Sequence, residues 1–155
     1  MYISVLIQSL EKKVKILEQI SQKNLEQKEG LENPNLDPEE FDGMVLEKAA
    51  LIDELEQLDS GFEEVFEKVK EELNANKSFY QEDIKLMQEL IRKITNKSVA
   101  VQKQEAQNKE LMQQKFAAVR KQVKEVRQSQ RIVNQYYKNM MKSGYVDSQF
   151  LDNKK

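Results

Sequence analysis

Acid–base, nucleophilic and metal chemistry near neutral pH relies most often on histidine and cysteine, and this 155-residue sequence contains neither. What it offers instead is carboxylates. Glu63, Glu64 and Glu67 stand three and four positions apart, which places them on one helix face. There they read as a solvated surface with ion-pair partners, not as an acid–base pair. A di-iron bundle needs Glu-x-x-His, and there is no His. Asn33, Asn35 and Asp37 have the odd-position spacing of a calcium loop. Pro38, however, falls where that loop needs glycine, and Met44 where it needs a bidentate glutamate. Gly30, Gly43, Gly61 and Gly144 are too scattered to cradle a phosphate. The reading is of a binding protein and not an enzyme, with no cofactor and no metal.

Composition points the same way. With 4 Gly, 2 Pro and no Trp among abundant Glu, Lys, Gln, Leu and Val, this is a chain of long helices with exposed faces. The absence of cysteine excludes a disulfide scaffold and fits a reducing compartment. No wholly apolar run is longer than Phe116 to Val119, which is far too short to span a membrane. Met1 to Ile7 shows no basic leader and no small-residue cleavage signal, so a soluble cytoplasmic protein without membrane insertion is expected. Charge is unevenly spread: residues 1–73 hold 8 Lys/Arg against 19 Asp/Glu, and residues 74–155 hold 17 against 8. Either acidic and basic helices neutralise each other, or the basic half meets nucleic acid. The basic residues lack the interleaved aromatic and Gly-rich elements of nucleic-acid modules, so no nucleic-acid partner is expected.

The elements follow from periodicity. A first helix over 3–29 carries Ile3, Leu6, Leu10, Val14 and Leu17, and Gly30 suits its left-handed end. Asp37, Pro38 and Glu40 announce a second helix, whose stripe runs from Phe41 to Leu73. Gly61 inside it suggests a close helix contact or a slight bend. Ser78 and Gln81 form a second capping box. From Phe79 to Lys142 no proline or glycine occurs, and apolar residues recur in steps of three and four. This third helix is polar over 102–110, and its alternation slips at Asn108, Met112 and Phe116, so a break is expected near 96–110 if anywhere. The fold class is therefore all-α: an antiparallel bundle of three long helices, or four if the third breaks. Residues 1–155 make one domain, and 143–155 a short tail that is docked or interacts.

The long helix outruns its partners. In an up-down-up arrangement, residues from about 115 to 142 would overshoot by roughly 40 Å. Leaving their apolar stripe bare forfeits on the order of 10 kcal/mol. The chain itself, a second copy or a client should cover it. Phe116, Val119, Val123, Val126, Val133, Tyr137 and Met140 are the candidate partner-binding residues. The alternative is that 111–142 folds back as a fourth helix and buries the same stripe.

Three segments carry a family likeness: Leu6-x3-Leu10-x6-Leu17 followed by Gln27-x3-Leu31; Glu47-Lys48-Ala49-Ala50-Leu51-Ile52-x2-Leu55-x2-Leu58; and Gln102-x5-Asn108-x2-Leu111. In their order and spacing the chain resembles the flagellar type III export chaperones of the FlgN type. The resemblance implies capture of hook-associated flagellar client proteins by their C-terminal helical segment, using the chaperone's own C-terminal amphipathic helix. It also implies delivery to a component of the export apparatus, by a monomer or homodimer. A self-assembling coiled-coil scaffold is the alternative function, and a nucleic-acid-binding helical protein a distant third.

Overall fold

The computed structural model describes residues 2–118 and 129–140, all of them in helices or the short turns between them. Helix α1 spans Tyr2–Glu32, α2 spans Pro38–Ala75 and α3 spans Gln81–Ala118. A fourth helical segment, 129–140, is called α4. The all-α bundle expected from periodicity is the architecture observed.

α2 starts where its signals placed it. Asp37 Oδ1 accepts from the Glu39 amide at 3.1 Å, Pro38 occupies the first turn, and Glu39 and Glu40 sit at the positive end of the dipole. α1, by contrast, runs through Gly30, whose φ is not positive. A Cβ there would lie 3.2 Å from Leu36 Cδ1, so this glycine admits the returning loop and does not end the helix. α3 begins at Gln81, after Ser78, with the Tyr80 carbonyl accepting from the Ile84 amide at 2.9 Å. Nor does Gly61 mark a close contact, because a Cβ added there meets nothing within 4 Å. The same is true of Gly43. Gly61→Ala and Gly43→Ala are each expected to stabilise the protein by about 0.5–1 kcal/mol, raising Tm by about 1–4 °C in a thermal melt. Gly30→Ala should gain less, because it presses on Leu36.

α1 is the middle helix. It runs antiparallel to α2 and parallel to α3: the ties from α1 and its loop to α3, including Glu18–Lys97, Asn24–Gln104 and Asn33–Lys115, join residues 79 to 84 apart. Its buried face, Leu6, Leu10, Leu17 and Ile20, packs with Phe41, Val45, Ile52, Leu55 and Phe62 of α2 and with Met87, Ile91, Ile94, Val101 and Met112 of α3. α2 and α3 stay apart, with no Cα of one within 8 Å of a Cα of the other. A cleft therefore runs between them. No helix among the described residues is long and apolar enough to cross a membrane.

The third helix does not break near 96–110. α3 is continuous through that stretch, from Gln81 to Ala118. The polar run stays helical because its inward residues, Glu105 and Asn108, are each 1 % exposed and have partners.

Candidate functional site

α4 lies back along α3 in the opposite direction, with Val133 near Met112 and Phe116 and Tyr136 one turn further on, near Glu105. Val133 is 6 % exposed and Tyr136 2 % exposed. The candidate stripe is thus not an uncovered overhang across its described part, because α4 uses α3 as its own packing partner. Phe116 and Val133 line one groove of about 430 Å³, and Phe116 also meets Phe41 edge-on at 6.1 Å. Tyr137 and Met140 are half-buried. Val119, Val123 and Val126 lie outside the described residues, as does the tail.

Under α4 the core turns polar. Lys48 of α2 exposes none of its surface. Its ammonium donates to Asn24 Oδ1 at 2.8 Å, Gln27 Oε1 at 2.7 Å and Glu105 Oε1 at 2.7 Å, filling all three donor positions. Tyr136 of α4 donates its hydroxyl to the same Glu105 oxygen, and the Lys48 ammonium lies 4.2 Å from the centre of its ring. Asn108 donates to the Asn24 carbonyl at 3.0 Å and to Gln27 Oε1 at 3.3 Å. Tyr137 donates to the Glu105 backbone carbonyl at 3.0 Å, with Lys109 over its ring. All four helices meet at this cluster. Beside the apolar packing of Val133, α4 is held here by two phenol hydroxyls and two cation–ring contacts.

Burial sets the electrostatics. Desolvation lowers the Lys48 pKa, against the pull of Glu105, and raises those of Tyr136 and Tyr137 well above the usual phenol value, with Glu105 adding to the rise. A lysine, a glutamate and a tyrosine in one network resemble an acid–base centre. Here no substrate reaches them, since Lys48, Glu105 and Tyr136 are closed to solvent. A second buried pair, Lys13–Asp59 at 2.6 Å, ties α1 to α2 two turns or more away. There too desolvation dominates, lowering the lysine and raising the aspartate. Among the described residues no group of three or more acidic side chains is arranged to hold a metal ion.

The sequence model of the FlgN protein family matches residues 1–142. The chain belongs to the FlgN family. Searches of curated proteins and of solved structures found no match. The FlgN match makes this helical bundle a flagellar export chaperone by family, and its span covers all four helices. The three resembling segments also meet in space. Gln27, Lys48 and Asn108, one from each segment, converge on a single cluster.

Reading the sequence for apolar stripes missed Asn24, Lys48, Glu105 and Tyr136. The signal was there in register. Leu6, Leu10, Lys13, Leu17, Ile20, Asn24, Gln27 and Leu31 alternate steps of four and three without a slip, and every one is buried. Phe41, Val45, Lys48, Ile52, Leu55, Asp59 and Phe62 do the same in α2. At the first of these polar positions Lys13 is buried, while its apolar neighbour Val14 is half-buried.

Proposed function

We propose that this chain is a cytoplasmic export chaperone that captures hook-associated flagellar proteins by their C-terminal helical segment and hands them to the export apparatus. The observation carrying this reading is the FlgN family match over residues 1–142. The client is held by the C-terminal amphipathic stripe, Phe116, Val119, Val123, Val126, Val133, Tyr137 and Met140. In the free chaperone the described part of that stripe rests on α3. Its seat supports such a role. α4 is peripheral to the α1–α3 body and sits over a polar cluster, so a client helix can compete for it without dissolving the core.

Affinity capture of the native protein from its cells, with identification of what co-purifies, tests the client class. Hook-associated proteins are expected, and their absence ends the chaperone reading. The site is tested by the double variant Tyr137→Ala with Met140→Ala. Both side chains are half-buried on a peripheral helix, so the melting temperature should fall by only a few degrees while client capture is lost. A variant that captures its client as well as the native chain removes this stripe from the site.

A further inference from the structure

Among the described residues, the cleft between α2 and α3 is occupied along only part of its length. Next to the N-terminal half of α2 and the C-terminal half of α3, α4 reaches into it with Tyr136, between Lys48 and Glu105. Beyond that, toward the α2–α3 turn, the cleft stays open as a groove of about 630 Å³. It follows α3 from Gln81 to Ile91, about 15 Å at 1.5 Å per residue, which is room for nearly three helical turns. Phe66, Ile84 and Met87 give it an apolar floor. Lys70, Lys77 and Lys85 stand along it, and no aspartate or glutamate lines it. Lys70 is turned to Glu67 at 2.7 Å, whereas Lys77 and Lys85 are exposed.

We propose that this open half of the cleft takes an acidic amphipathic helix of the exported client, end to end with α4. The inference rests on the chaperone reading and adds where a second stretch of client lies and what charge it carries. Three features select this occupant. The space lies in the same cleft that α4 enters further along, at Lys48 and Glu105. Its floor is apolar and flanked by helices on both sides, the setting for a helix in a groove. Its lining charge is wholly positive, which favours and steers a helix with carboxylates beside its apolar stripe.

The test uses the full chain with a photoreactive benzoylphenylalanine at Gln88, an exposed lining residue. The probe is a purified C-terminal fragment of a hook-associated protein from the same cells, long enough to reach both the stripe and the groove. Gln88 is expected to cross-link to the probe. The charge-reversed Lys77→Glu/Lys85→Glu variant is expected to keep its melting temperature and bind the probe at least tenfold more weakly, with a shallower salt dependence. Equal affinity in that variant overturns the proposal. So does a Gln88 cross-link only to residues 141–155 of the same chain, or only to a second copy. A probe that binds the native chain without touching Gln88 sinks the groove alone. A probe that does not bind at all removes the client reading with it.

Discussion

Lys48→Met is expected to destabilise the fold by about 3–5 kcal/mol, because it leaves the buried Glu105 carboxylate without its cation. In this chain that corresponds to a fall in Tm on the order of 10 °C, and urea denaturation followed by circular dichroism measures it. The double variant Lys48→Met with Glu105→Leu should recover only part of the loss, since it removes the unpaired charge but leaves the Tyr136 hydroxyl and Asn24 Oδ1 without these partners. Lys23–Glu47 is the internal control. Its nitrogen–oxygen distance of 2.6 Å is as short, but its side chains are 32 % and 59 % exposed. Lys23→Ala should therefore cost no more than about 1 kcal/mol. The distances are alike and the consequences differ, because water screens one pair and has been removed from the other. A Lys48→Met variant no less stable than Lys23→Ala would mean that the cluster is wet in solution.

Tyr136→Ala is expected to unseat α4. Removing a buried aromatic side chain costs about 3–5 kcal/mol, and here that loss falls on the contact between α4 and the polar cluster. The outcome should be local: amides of 129–140 lose hydrogen-exchange protection while those of α1 keep theirs. Tyr136→Phe removes only the hydroxyl bond to the Glu105 carboxylate, about 1.5–3 kcal/mol, and should leave α4 partly protected. The two variants separate packing from hydrogen bonding.

The same contact gives docking a pH dependence. The Tyr136 and Tyr137 phenols face Glu105, with Lys48 and Lys109 over their rings, and burial raises both pKa values. Above about pH 10 an undocked phenol releases a proton that the docked one retains. The contribution of these phenols is thus present in full below that pH and is lost as pH rises beyond it. Lys48 acts oppositely in the window just below its ordinary value of 10.5, where the unfolded chain binds the proton that burial disfavours. Tyr136→Phe should therefore flatten the alkaline fall in α4 protection. An alkaline fall of unchanged size would place its origin outside this contact.

What the sequence determined by itself is what depends on local periodicity and local chemistry. Steps of three and four made helices of three long stretches, Asp37 and Pro38 located the start of α2 to the residue, and the lack of His and Cys removed the usual catalytic side chains. Only the tertiary structure decided where polar residues in register with the core would point. Glu105 and Asn108 have the composition of a helix break, and they are helix interior because Lys48, Asn24 and Gln27 from two other helices satisfy them. Gly30 looks like a helix end and is a passage for Leu36, which depends on a loop the local sequence does not place. Whether the C-terminal stripe projects or folds back was open for the same reason. Its spacing requires an apolar or polar partner without naming one, and Tyr136 finds that partner in a carboxylate 31 residues earlier, where α2 and α3 stand apart.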